Sequence, residues 1–192
     1  MRNHYSLSEF VKSIYSFVIT KITMKQARLI RRPFYCRGYK SLSGCEGLTT
    51  GRFCRFDLIG TRPTLFIGKN CEFGDMTHIV AHEKVRIGDN VLIASKCFIS
   101  DVNHGSYSGD CQDSPFVSPK ERQLRTSEVN IGNNVWIGEN AVILAGSRIG
   151  NGCIIGANSI ISKAIPDNCI AIGANTVIKE FNVHTNRWER RD

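Results

Sequence analysis

An all-β chain coiled as a parallel β-helix of hexapeptides, with an N-terminal α-helix and one projecting loop, is the fold the sequence predicts. Three observations predict it. From Ile131 to Ile161, isoleucine recurs at every sixth residue: Ile131, Ile137, Ile143, Ile149, Ile155 and Ile161. The fifth place of each six is small or β-branched, in Val135, Ala141, Ser147, Cys153, Ser159 and Ile165. Glycine follows the isoleucine at Gly132, Gly138, Gly150 and Gly156. In an α-helix every sixth residue falls about 600° round the axis, so no single face forms. A plain strand alternates with period two and needs no marker every sixth residue. A strict period of six describes a chain that regains one orientation every few short strands.

Taken in order, residues 6 to about 29 read as a helix. Ser6 with Glu9 three places on forms a capping box. Phe10, Ile14, Phe17, Val18 and Ile22 lie at three- and four-residue spacing and make one apolar face. That face is expected to pack on the end or side of the coil; the alternative is an amphipathic helix at a membrane interface. Pro33 ends the element, and a basic connector completes an N-terminal extension over 1–40. The coil domain is expected over 41–180. It opens weakly with Leu42, Leu48 and Cys54, turns around Pro63, and strengthens at Ile67, Phe73 and Ile79. A two-residue slip at Glu83 to Arg86, read as a bulged corner, precedes Ile87, Ile93 and Ile99. Residues 101–128 carry no period and read as an arm leaving the coil, because so long a break in a solenoid is uncommon without a use. After Pro166 a last partial turn is expected around Ile172, Gly173 and Ile178, and 181–192 reads as a polar tail.

Composition narrows the classes. A chain of 192 residues with 42% apolar content suits one globular domain with an extension. No apolar run approaches the roughly 20 residues of a membrane span. Ser6 to Ile22 is broken by Glu9, Lys12 and Lys21, and no small-residue cleavage site follows, so no secretory signal is expected. The eight cysteines include no C-x-x-C pair; Cys71, Cys97 and Cys153 fall at the small fifth position. They read as small fillers in a reducing cytoplasm. The net charge of +8 has Arg28, Arg31, Arg32, Arg37 and Lys40 concentrated near the N-terminus. No nucleic-acid motif accompanies it, which leaves a solvated basic face, a phosphate-rich small ligand, or a membrane or acidic-glycan surface.

Function is expected where the period fails. The sharpest failure is Asp101-Val102-Asn103-His104-Gly105, at the root of the arm. His104 has the side chain whose ordinary pKa, about 6.5, suits a general base for a hydroxyl. Asp101 and Asn103 are candidates to orient His104 or grip an acceptor; both residue types also simply form turns. In the arm, Tyr107 and Phe116 offer rings that stack on sugars, and Arg122 and Arg125 offer partners for an acidic group. Trp136 puts an indole at an outward position, either for a ligand or for packing against a neighbouring chain's arm.

The stretch NNVWIGENAVILAGSRIGNGCIIGANSIISKAIPDN resembles the C-terminal half of the maltose, galactoside and xenobiotic O-acetyltransferases, a group within the hexapeptide-repeat acyltransferases. The likeness runs from about Gly44 to Glu180. It implies a left-handed triangular prism and a homotrimer with acetyl-coenzyme A in grooves between prisms. It also implies a general base at His104 and direct attack of a sugar hydroxyl on the thioester. Trp136, Ala157, Ser162, Lys163 and, more weakly, Lys179 match positions that line the coenzyme groove. Two departures stand out. Gly173-Ala174-Asn175-Thr176-Val177 lacks the proline and lysine of the family's run near the end. Gly74 replaces an asparagine of the galactoside enzymes, leaving Asp75 to contact the acceptor.

RLIRRPFYCRG, TTGRFCRFD, LIASKCFISDVNHGSYS and Ser-Pro-Lys-Glu-Arg are similar to O-acetyltransferases of surface-polysaccharide biosynthesis, which implies a capsule, lipopolysaccharide or exopolysaccharide sugar as acceptor. Rival readings are an N-acetyltransferase on a nucleotide-linked aminosugar and a non-catalytic β-helix scaffold. The γ-class carbonic anhydrases share the predicted fold and bind zinc through histidines, two of them five apart. Here the residue five after His104 is Gly109, so no metal site is expected.

Overall fold

Short parallel strands succeed one another on three faces in strict rotation. The computed structural model describes residues 6–191; residues 1–5 of the expected extension and residue 192 of the expected tail lie outside the described residues. The first face stacks Leu29–Ile30, Thr49–Thr50, Glu72–Phe73, Leu92–Ile93, Trp136–Ile137, Ile154–Ile155 and Cys169–Ile172. The second stacks Phe34–Arg37, Cys54–Leu58, His78–Ala81, Phe98–Ser100, Val142–Ile143 and Ile160–Ile161. The third stacks Leu42–Gly44, Leu65–Ile67, Val85–Ile87, Val129–Ile131, Arg148–Ile149 and Ala164–Ile165. The register places like on like: Ile93 on Ile137 on Ile155, and Ile99 on Ile143 on Ile161. These isoleucines are fully buried, each worth roughly 1.5–3 kcal/mol in apolar transfer.

The corners explain the rest of the hexapeptide. Asn70, Asn90, Asn134 and Asn168 turn the chain at positive φ, a region that Asn tolerates. Beside them runs a ladder in which each Asx side chain caps the coil before it. Asp89 accepts from Lys69 N at 2.7 Å, Asn133 from Asp89 N at 2.7 Å, Asn151 from Asn133 N at 2.8 Å and Asp167 from Asn151 N at 2.8 Å. The fifth-position thiols point inward, and Cys71 and Cys97 donate to the Gly88 and Gly138 carbonyls of the next coil.

The N-terminus departs from expectation in three ways. Helix α1 spans Leu7–Thr23 with the Ser6–Glu9 capping box formed, and stops about six residues early. It stops because Leu29–Ile30 pair in parallel with Thr49–Thr50, so the first coil claims the chain. The segment read as a basic connector contains Phe34–Arg37, a strand of the second face; the coil therefore begins at Leu29, before residue 41. Finally, α1 does not pack through its apolar face. Ser16 and Thr20 face the coil and are buried, while Phe10, Ile14, Phe17, Val18 and Ile22 are exposed. Ser16 Oγ accepts from Arg32 N at 3.2 Å, and Thr20 Oγ1 accepts from Ile30 N at 2.9 Å.

The C-terminus also differs. Thr176–Asn182 turns back antiparallel on Cys169–Ile172, and Arg187–Arg190 pairs with it in turn. Residues expected as a polar tail thus form a hairpin on the first face, and Phe181 meets Trp188 edge to face at 5.2 Å between ring centroids.

Candidate functional site

The edge between the second and third faces is where the coil is interrupted. Along it lie the slip at 82–84, the arm, residues 144–147 and the Ser162–Lys163 corner. Asp101 organises this edge. Its side chain is fully buried, and its carboxylate accepts from His82 N at 2.9 Å, Glu83 N at 2.8 Å and Lys84 N at 2.7 Å. Its own carbonyl accepts from Ser127 N at 2.9 Å, where the arm returns. The sequence suggested Asp101 as an acceptor contact or a guide for His104. The structure corrects this: both carboxylate oxygens are sealed into the backbone of the preceding coil.

The arm leaves as a two-stranded ribbon, Val102–His104 against Leu124–Thr126, with Asn103 opposite Arg125 and His104 opposite Leu124. Successive residues of a strand point to opposite sides. The exposed imidazole of His104 therefore shares a side with Leu124, and Asn103 shares the other with Arg125. Asn103 and the His104 imidazole project from opposite sides of the ribbon. Tyr107 curls back, donating its hydroxyl to the His104 carbonyl and accepting from Arg122 Nη1 at 2.7 Å. Arg122 also donates to the Val117 carbonyl at 2.8 Å. That guanidinium, suggested for an acidic sugar, is engaged within the arm; Arg125, Phe116 and half of the Tyr107 ring remain exposed.

Two coils beyond His104 on the same edge, Asn175 caps the Ser162–Lys163 corner. Its Oδ1 accepts from both backbone N–H groups, at 2.7 and 3.1 Å, and its Nδ2 donates to Ser162 Oγ at 3.1 Å. Sequence reasoning missed this role; the one signal was an Asn in the turn just past the regular coil. Lys163 is exposed, and among the described residues no carboxylate lies within 4.0 Å of its ammonium.

Other candidates stand elsewhere on the prism. Trp136, half exposed, lies on the first face between Leu92 and Ile154. Ala157 lies at the edge between first and second faces, in a notch of about 380 Å³ with Lys96, Glu139, Asn140 and Asn158. Asp75 is on that edge too, one oxygen accepting from Arg52 N at 2.6 Å. Lys179 sits in the C-terminal hairpin opposite Ile170. One prism thus brings His104, Ser162 and Lys163 to one edge and leaves Trp136, Ala157 and Asp75 on other surfaces.

Two further groups bear on the chemistry. Burial raises the thiols of Cys54 to about 11 and of Cys45 to about 12, and pushes Cys71, Cys97 and Cys153 upward as well. These thiols stay protonated near neutrality and are not nucleophiles. His78 is held by Asp57 at 3.0 Å, within an ion cluster with Arg55 and Arg37.

The family model of the bacterial transferase hexapeptide (six repeats) matches residues 128–163. Across 192 residues the chain is 38% identical to WbbJ of Escherichia coli (strain K12), named as a lipopolysaccharide biosynthesis O-acetyl transferase, covering 99% of this chain and 97% of that one. The chain belongs to the hexapeptide-repeat acetyltransferases. This hexapeptide-repeat acetyltransferase is also 36% identical, over 129 residues, to the galactoside O-acetyltransferase of E. coli, covering 67% of this chain and 60% of that relative. Its coil is the family's left-handed parallel β-helix. A solved galactoside acetyltransferase in complex with coenzyme A matches at 26% identity and TM-score 0.51, over 99% of this chain and 80% of that one. The N-acyltransferase AntD from Bacillus cereus, in complex with dTDP-4-amino-4,6-dideoxyglucose and coenzyme A, matches at TM-score 0.67 and 19% identity over 99% and 90% of the two chains, a likeness of fold alone.

Proposed function

We propose that this protein transfers an acetyl group from acetyl-coenzyme A to a sugar hydroxyl in surface-polysaccharide biosynthesis. It would work in the cytoplasm, at the inner face of the membrane. The observation that carries the reading is an exposed imidazole, His104, at the root of the arm that interrupts the coil, in a chain that matches an O-acetyl transferase end to end.

His104 takes the proton as the sugar hydroxyl attacks the thioester carbonyl. A C–O bond forms, the C–S bond breaks, and the proton passes from His104 to the leaving sulfur. Backbone N–H groups beside the groove stabilise the developing oxyanion. The exposure of His104 fits this role, and the Asp101 carboxylate three residues before it is committed to backbone. Lys163, with its ammonium facing solvent, supplies a point charge for a phosphate of the coenzyme. Trp136, Ala157 and Ser162 line the path of the pantetheine, with Lys179 further along. Asn103, Tyr107 and Asp75 contact the acceptor. These groups stand on different surfaces of one prism, which supports a site completed between neighbouring prisms of the homotrimer that the family resemblance implies.

Free-thiol release from acetyl-coenzyme A, measured with hydroxyl and amino versions of one sugar, tests the reaction. Transfer to the hydroxyl with little to the amine is expected. Preference for the amine would assign N-acetylation, and no release with any glycan acceptor would leave a scaffold. A second assay separates the phosphate role. Lys163→Ala should weaken acetyl-coenzyme A by about tenfold while sparing pantetheine thioesters; an equal loss for both would remove Lys163 from phosphate binding.

A further inference from the structure

Helix α1 presents its apolar side to solvent and its small polar side to the coil. Ser16 and Thr20 are 3% and 0% exposed and are hydrogen-bonded to the first coil through Arg32 and Ile30. Opposite them, Leu7, Phe10, Val11, Ile14, Val18 and Ile22 are each between 49% and 80% exposed. Their three- and four-residue spacing makes one continuous stripe, with Ile14 and Val18 half a turn from Ser16. The stripe is therefore fixed outward by hydrogen bonds on its back. Contiguous exposed apolar surface of this kind marks an interaction site.

Charge decides what covers it. Residues 1–45 contain nine lysines and arginines and a single acid, Glu9, whereas residues 46–192 contain sixteen basic and sixteen acidic residues. The whole net charge of +8 thus resides in residues 1–45 of the sequence. Glu9, two turns before Ser16, lies on the coil-facing side of the helix. Lys12, four residues before Ser16, shares that coil-facing side. Lys25 has no carboxylate within 4.0 Å among the described residues, and Lys21 donates to the Ala27 carbonyl at 2.8 Å with its ammonium 5.4 Å from the Phe17 ring centroid. A second copy seated on this stripe would bring two such basic ends together. An anionic lipid surface offers both an apolar boundary and opposite charge. At 17 residues α1 is about 25 Å long, and no helix among the described residues is long and apolar enough to cross a membrane.

We propose that α1 docks the enzyme on an anionic lipid bilayer, lying in the plane of the interface with Leu7, Ile14 and Val18 among the acyl chains and the basic residues at its C-terminal end and in the first coil towards the headgroups. In the trimer proposed above, cyclic symmetry points all three N-terminal ends the same way, so three helices reach one surface together. The multivalency rests on that trimer; the affinity of α1 for anionic lipid does not.

The test is co-sedimentation of the full chain with phosphatidylcholine vesicles containing about one-third phosphatidylglycerol, against pure phosphatidylcholine. The parent should bind the anionic vesicles, lose most binding on the neutral ones, and be released by high salt. The double variant Ile14→Glu, Val18→Glu, altered at two exposed positions, should lose about tenfold or more in partitioning while transferring acetyl groups to a soluble acceptor at the parent rate. A parent that stays off the anionic vesicles overturns the proposal, as does a double variant that binds them as the parent does. So does a double variant whose only change is a smaller oligomer, since a second copy would then cover the stripe. Vesicle binding by a parent that transfers no acetyl group would defeat the reaction proposed above and leave the docking standing.

Discussion

Asp101 joins the arm to the coil through one buried carboxylate that collects three backbone N–H groups. Asp101→Asn keeps the shape but removes the charge and replaces the oxygen that accepts from His82 N by an amide donor that faces that N–H, leaving a buried donor without a partner. It should cost about 2–4 kcal/mol of stability, read by thermal unfolding. Because the residue touches neither substrate, the pH profile of any remaining turnover should match the parent's; an altered profile would return Asp101 to the chemistry. Asp57 provides the acid counterpart. Burial pushes its carboxyl up, but hydrogen bonds from His78 and Arg55 and the charges of Arg55 and Arg37 outweigh this and hold its pKa below the ordinary 3.8. A carboxyl depressed in the folded state stabilises fully above its unfolded pKa and loses that contribution as pH falls through the depressed value. The melting temperature of the parent should therefore fall more steeply below about pH 4 than that of Asp57→Asn. Parallel curves would show that the cluster contributes nothing to folding. Neither role could be read from sequence: the partners of Asp101 are main-chain groups, which leave no mark in the residue pattern, and two of those of Asp57, Arg37 and His78, come from the coils on either side while Arg55 lies on its own strand.

Among the elements, the arm is the one that can build a pocket over a flat prism face. Arg122 is its internal tie, bonded to Tyr107 and to the Pro115 and Val117 carbonyls. Replacing residues 115–124 by a short Gly/Ser linker removes that tie while each coil keeps its neighbours. The prism should stay folded, acceptor transfer should collapse, and binding of the coenzyme with slow hydrolysis should persist. Dissociation to monomers would make bracing the arm's main role, and transfer at the parent rate would place the acceptor elsewhere. The arm and the coil from Ile67 onward were legible because inward residues announce themselves every six places. The first two coils were not: their inward positions hold Ile30, Phe34, Thr50 and Phe56, too varied to form a period. The helix was legible as a helix and misread as a packing element. An apolar stripe ordinarily faces the core, and here Ser16 and Thr20 take that place.

At the scale of the whole molecule, His104 and Trp136 lie on different surfaces of one prism, and the proposed site needs both. Mixed oligomers test this. Chains carrying His104→Ala, co-assembled with chains carrying Trp136→Ala, should show more transfer than either variant alone, because some interfaces then pair both intact residues. No gain on mixing would confine the site to a single chain. The measurement that bears most directly on the central claim is the acetyl-transfer rate of His104→Ala beside the parent, with coenzyme binding followed in parallel. Loss of the general base should lower turnover by roughly 10² to 10⁴ with coenzyme affinity kept. Turnover within a few-fold of the parent would contradict the account.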